Sequence, residues 1–228
     1  MSDSNHRPIR SFVIRASRMT KRQTLAYDSA WPRFGVDPGG MLDFNKLFNR
    51  NNPTVIEIGF GMGKSLVDVA AAYPDINFIG IEVHPPGIGA CLADAIDAGI
   101  DNLKIIAMDA VEVLQYMIPA NSVQQVQILF PDPWHKKRHH KRRLINESFI
   151  ELVTKKIIAG GYLRIATDWT PYADVIKEIM LQQSALTASP DSIGDIIKTR
   201  ISVTKFEQRG HGLGHEITDF IYQKTAKY

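Results

Sequence analysis

Within residues 130–144, FPDPWHKKRHHKRRL, a single acid precedes a dense run of cations. Asp132 lies between Pro131 and Pro133, whose rings fix the backbone on either side. The apolar residues Val126, Ile128, Leu129 and Phe130 ahead of it read as a buried strand that the prolines terminate. The carboxylate therefore stands at a strand's carboxyl end, where it can stabilise positive charge developing on a reacting group. Lys136, Lys137, Arg138, Lys141, Arg142 and Arg143 follow with no acid among them, the electrostatic footprint of a phosphate-bearing partner. A solvated basic helix start has the same composition, but this run adjoins an acid-bearing strand end, which favours a site.

Four further acids fall where other strands end or the next turn begins: Glu57, Glu82, Asp109 and Asp168. Carboxylates lined along one rim repel one another unless a cationic or hydroxyl-rich ligand joins them. Helix capping accounts for one or two such acids and poorly for the whole row.

The elements that must position these groups alternate. Compact apolar strands are expected near 55–58, 78–82, 103–107, 126–130 and 162–166, with helices near 64–73, 86–98, 110–117, 144–158 and 171–183. Such alternation makes a doubly wound, mostly parallel α/β sheet, whose ligands bind beyond the carboxyl ends of the strands. Residues 200–206 and 218–223 read as a C-terminal antiparallel strand pair around the polar loop 207–216, bringing the sheet to seven strands. Pro8, Pro32, Pro38 and the Gly39-Gly40 pair leave little periodicity at the start, so residues 1–40 read as an extended basic arm, anchored by Tyr27, Trp31 and Phe34. Residues 41–228 are expected to form the domain that carries the site.

The chain has 228 residues, 44% hydrophobic and 22% charged, which suits one soluble domain with a substantial core. Its net charge is +3, yet the cationic run contributes six positives and residues 1–33 hold seven Lys or Arg against Asp3 and Asp28. The remainder is thus acidic, and two localised basic patches on an acidic body indicate a polyanion surface, with nucleic acid the expected partner. The lone Cys91 excludes an internal disulfide and fits a reducing compartment. No apolar run reaches membrane-span length and the start lacks a continuous signal-peptide core, so a cytoplasmic protein is expected, an organellar transit peptide being the minor alternative. No obligate protein partner is evident, and a monomer is the expectation. His135, His139 and His140 lie in a run that repels cations, while His211 and His215 lack a zinc-hydrolase spacing; no metal is expected.

Gly59, Gly61 and Gly63 follow the first strand. A dinucleotide fingerprint needs its third glycine where Lys64 stands, and a phosphate-binding P-loop ending at Gly63-Lys64-Ser65 needs its first where Ile58 stands. Glu57 two residues before the glycines, with Glu82 closing the second strand, resembles instead the S-adenosylmethionine site of class I methyltransferases. A ligand with a sulfonium, an ammonium and a vicinal diol suits carboxylates: Glu82 for the ribose hydroxyls, Asp109 for the adenine amino group.

With EIGFGMG at 57–63, GIEVH at 80–84, the 130–144 run, ATDW at 166–169 and TKFEQRG at 204–210, the chain resembles the bacterial tRNA (guanine-N7-)-methyltransferase family over nearly its whole length. The resemblance implies a Rossmann-like class I methyltransferase fold and methylation of a tRNA guanine at N7, at position 46 of the variable loop. It implies S-adenosylmethionine binding by Glu57, Gly59, Gly61, Gly63, Glu82, Asp109 and Asp132, with Asp132 also the catalytic acid. Lys136, Asp168, Thr204, Lys205, Phe206 and Glu207 would contact the RNA, and Arg138, His139, His140, Lys141, Arg142 and Arg143 would grip its backbone. His140 stands where a small polar residue is expected, and His211 matches no fixed position, which touches RNA preference rather than chemistry.

That chemistry agrees with a site poor in bases: guanine N7 offers an in-plane lone pair and no proton, so alignment and water exclusion suffice. Trp134 either stacks on an exposed base or anchors the strand from behind. A nicotinamide oxidoreductase, disfavoured by the missing glycine, and a catalytically silent RNA-binding module, disfavoured by the acid row, are the competing functions.

Overall fold

The computed structural model describes residues 10–12, 18–189 and 217–226. Five strands run parallel: β1 (Thr54–Ile58), β2 (Asn77–Ile81), β3 (Leu103–Ile106), β4 (Val123–Leu129) and β5 (Ile157–Thr167). A short β6 (Leu186–Ala188) and β7 (Thr218–Lys224) complete a seven-stranded sheet ordered β3, β2, β1, β4, β5, β7, β6, in which β7 is antiparallel to both of its neighbours. An antiparallel pair therefore closes the sheet, with residues 186–188 beside β7; the strand expected at 200–206 lies outside the described residues.

Continuous apolar runs make these strands, because both faces are covered. β1 and β2 are buried at every position. Ile56, Ile58, Ile79 and Ile81 point to the face covered by α5 (Ala110–Tyr116), α6 (Glu147–Lys156) and α7 (Thr170–Leu181). Val55 and Phe78 point to the face covered by α1 (Lys21–Phe34), α3 (Lys64–Ala72) and α4 (Pro85–Asp97). A one-turn α2 (Phe44–Phe48) precedes β1.

Much of the stretch expected to be extended arm is α1. Thr20 caps it through the amide of Gln23, and the Gln23 side chain returns the bond to the Thr20 amide. Pro32 is tolerated in the last turn, and Ala26, Ala30 and Phe34 bury into the core. Arg22 reaches Asp94 at 3.0 Å and Asp97 at 2.7 Å on α4, and Arg33 donates to the Ile100 carbonyl, so two cations of this segment hold protein rather than await RNA. Beyond the helix, the Val36 amide donates to the Ile105 carbonyl at 2.9 Å and Gly35 forms a parallel bridge with Ile105 along the outer side of β3.

Candidate functional site

β1 pairs with β2 on one side and β4 on the other, so the connections leaving β1 and β4 diverge and a crevice opens above their carboxyl ends. A cavity of about 840 Å³ lies there, walled by the glycine turn, the β2–α4 turn, residues 108 and 110, and 128–136. This volume lies within the range of small-molecule sites. A second cavity, about 640 Å³, sits at the opposite end among Asn51, Asn52, Thr54, Pro119 and Gln124, away from the acid row.

Gly59, Gly61 and Gly63 all have positive φ, at 74°, 60° and 76°. A Cβ added to Gly59 or Gly61 would meet open space, so the turn leaves room for a ligand against its backbone. At Gly63 it would lie 2.3 Å from the Cys91 Cβ, which makes that glycine a packing requirement of α4.

The acids are partnered from within the protein. Glu82, on the cavity wall, accepts from the Gly61 amide at 2.9 Å through one oxygen and from the Val83 and His84 amides, at 2.7 and 3.1 Å, through the other. Asp109 caps α5 by accepting from the Val111 amide at 2.8 Å, with neighbours Met108 and Ala110, not Asp109, on the wall. Glu57 is 4% exposed, one layer behind the wall, and accepts from Gln127 Nε2 at 2.7 Å. Burial pushes its pKa up to about 7, against the pull of the Gln127 bond and the Arg164 charge, while Glu82 adds repulsion. The expectation that the row needs a ligand to be tolerable is thus corrected for these three: backbone amides and a glutamine already satisfy them.

Asp132 is exposed on the cavity wall. The residues framing its prolines, Phe130 and Trp134, both adopt left-handed backbone, φ 54° and 46°, rare for bulky side chains and frequent at functional sites. Trp134 also lines the cavity. Its indole N–H donates to the Ser11 carbonyl at 3.2 Å, Arg142 lies over its ring at 5.2 Å and His139 meets it edge-on.

The cationic run forms a 3-10 helix, Lys137–Arg142. Lys136, Lys137, Arg138, His140 and Lys141 are exposed, with Lys136 and His139 also at the cavity. The pKa of His139 is lowered by desolvation and then by Arg138, Arg142 and Lys136, favouring its neutral form. Arg143 departs from the expected backbone grip: it is 8% exposed, its Nε donates to the Pro133 carbonyl at 2.9 Å, and its guanidinium lies 4.6 Å from the Tyr172 ring centre. Its Nε–H, and with it the direction of the guanidinium, is committed to the protein. Asp168, half-buried, follows β5 off the cavity wall; its neighbour Trp169 meets His135 of the β4 loop edge-on at 4.4 Å. Residues 204–207 lie outside the described residues.

Wall residues Ser11 and Phe12 carried no recognisable signal in the sequence, while His84 and His135 fall within the GIEVH and 130–144 motifs without having been assigned to the cavity. Gln127 did: it occurs on a buried strand at the alternation that faces Glu57. Among the described residues no cluster of three or more His, Cys, Asp or Glu could hold a metal, and no helix is long and apolar enough to cross a membrane.

The strand order and crevice define a class I methyltransferase fold, shared with the crystal structure of 16S rRNA methyltransferase KamB at a TM-score of 0.58 and 13% identity, over 84% of this chain and 98% of that one. Residues 51–220 match the family described as "Putative methyltransferase". A tRNA (guanine-N(7)-)-methyltransferase of Sodalis glossinidius is 53% identical over 223 residues, 96% of this chain and 93% of the relative. Its namesake in Escherichia coli is 50% identical over 229 residues, covering 98% and 95%. The chain belongs to the tRNA (guanine-N(7)-)-methyltransferase family.

Proposed function

We propose that this protein transfers a methyl group from S-adenosylmethionine to N7 of a guanine in tRNA, at position 46 of the variable loop. The observation that carries this reading is the meeting, in one cavity, of an open glycine turn, Glu82 and the proline-framed Asp132, with an exposed cationic track beginning at its rim. The residues fit the donor: Gly59 and Gly61 leave space along their backbone, and Glu82 presents carboxylate oxygens to a diol once its amide bonds are shared or exchanged. Glu57 acts from behind the wall as a buried anion or acid, and Asp109 shapes the α5 end of the pocket. When bound, S-adenosylmethionine supplies an electrophilic methyl carried on a sulfonium.

The protein needs no base, since guanine N7 carries no proton. Asp132 holds an anion beside the reacting base and favours the positive charge that builds on the ring. Lys136, Arg138, His140, Lys141 and Arg142 orient the RNA, joined by Asp168 and by Thr204, Lys205, Phe206 and Glu207, while the walls exclude water.

Purified protein incubated with methyl-labelled S-adenosylmethionine and unmodified tRNA should yield labelled 7-methylguanosine, lost when guanine 46 is replaced. Asp132→Asn should slow the single turnover by the equivalent of about 2–4 kcal/mol with tRNA affinity retained. A different labelled nucleoside, or RNA binding without transfer, would overturn the reading.

A further inference from the structure

We infer that Arg143, with Tyr172 beneath it, is a positioning residue that holds the Asp132 turn in its left-handed geometry, rather than a contact to RNA; this rests on the proposed role of Asp132.

Backbone of the kind seen at Phe130 and Trp134 persists only where its surroundings over-determine it. At the first end the Phe130 amide donates to the Ala166 carbonyl of β5 at 2.8 Å. Between the ends, Pro131 and Pro133 have no amide hydrogens, so a carbonyl is the handle the backbone of these prolines offers to a donor. Arg143 takes hold of it, donating through Nε to Pro133.

Its own place is fixed from two sides. The Arg143 amide donates to the His140 carbonyl at 2.9 Å, closing the 3-10 helix, and the guanidinium rests over Tyr172. Tyr172 is fully buried at the start of α7, where its hydroxyl accepts from the Ile145 amide at 3.2 Å. A path of contacts thus runs from α7 through Tyr172 and Arg143 to the carbonyl next to Asp132. Lysine is no substitute at such a place, since its ammonium lacks both the planar face for stacking and the fixed direction of the Nε–H.

The test combines Arg143→Lys, Asp132→Asn and the double variant, with Tyr172→Phe as a milder change that keeps the ring. Single-turnover methylation is measured at saturating tRNA and S-adenosylmethionine, normalised to molecules that bind S-adenosylhomocysteine by calorimetry; tRNA affinity is measured against salt. Arg143→Lys should slow the turnover about tenfold to a hundredfold, the cost of a small misplacement at a reacting centre. Its tRNA affinity and salt slope should match wild type, and in the Asp132→Asn background it should change the rate less than about twofold. Tyr172→Phe should slow the turnover in the same direction, by less. A flattened salt slope with a normal rate would make Arg143 a phosphate contact and overturn the inference. Equal slowing in both backgrounds would overturn it too, since Arg143 would then act independently of Asp132. A wild-type rate for Asp132→Asn alone would instead remove the catalytic role of Asp132, and the inference with it.

Discussion

Glu57→Gln should stabilise the protein at alkaline pH while weakening its hold on the methyl donor. Glu57 is buried in β1, accepting from Gln127, whose own carbonyl accepts from Gln125 Nε2 at 3.1 Å. The Gln125 Oε1 at the end of this chain has no hydrogen-bond partner. Burial raises the Glu57 pKa from its ordinary 4.5 to about 7, so the folded protein holds this proton more tightly than the unfolded chain does. The stabilisation from that proton is complete below about pH 4.5 and is lost as pH rises through about 7. The full shift corresponds to at most roughly 3 kcal/mol. For a chain of this length that is a Tm difference of up to about 10 °C. The introduced glutamine is neutral at every pH and keeps an oxygen for Gln127, so the variant escapes the loss. Thermal unfolding of both proteins from pH 4.5 to 8.5 at constant ionic strength should give curves that coincide at the acid end and separate as pH rises, the variant melting higher. Taking the difference between the two cancels the other titrating groups. A difference independent of pH, or a less stable variant at pH 8.5, would refute the buried-proton argument. Calorimetry with S-adenosylmethionine should show a raised Kd for the same variant.

Gly63→Ala should cost about 1–3 kcal/mol, because an alanine there must hold φ 76° with its Cβ against Cys91. Thermal melting checks this, with Gly40→Ala as a near-neutral control since nothing lies within 4 Å of its added Cβ. Replacing exposed Arg138 and Lys141 by Ala should raise the tRNA Kd and reduce the slope of log affinity against log salt by about two, leaving cofactor affinity unchanged. Salt-titrated binding and calorimetry measure the two separately.

The parallel strands were legible in the sequence because burial on both faces leaves an uninterrupted apolar run such as TVIEI or NFIGI. The wall of the cavity was legible where it follows strand ends, as with Gly59, Gly61, Glu82 and Asp132. Helix α1 was hidden by prolines that read as breakers, although the Thr20/Gln23 capping box marked its start. The inward turn of Arg143 had no signature: six cations in one run look alike, and only the packing of Tyr172 selects one of them. For the acids, spacing located the rim but not the partners. Whether a carboxylate waits for a ligand or is met by an amide depends on turn geometry, as the three bonds to Glu82 illustrate.

The short junction of Gly35 and Val36 with Ile105 determines where this protein can be cut. Strand β3 is the outermost strand at its end of the sheet, and a bare edge of that kind recruits strands from other chains. Residues 35 and 36 occupy part of that edge, and Lys104 Nζ donates to the Arg33 carbonyl beside them. A truncation designed at residue 40 would therefore remove a gatekeeper against self-association, together with the helix that shields Ile88, Leu92 and Ala93, and its expected product is aggregate. A start just ahead of Thr20 keeps both the edge and the helix cap but removes Ser11 and Phe12 from the cavity wall, so the fold tolerates a shorter chain than the site does.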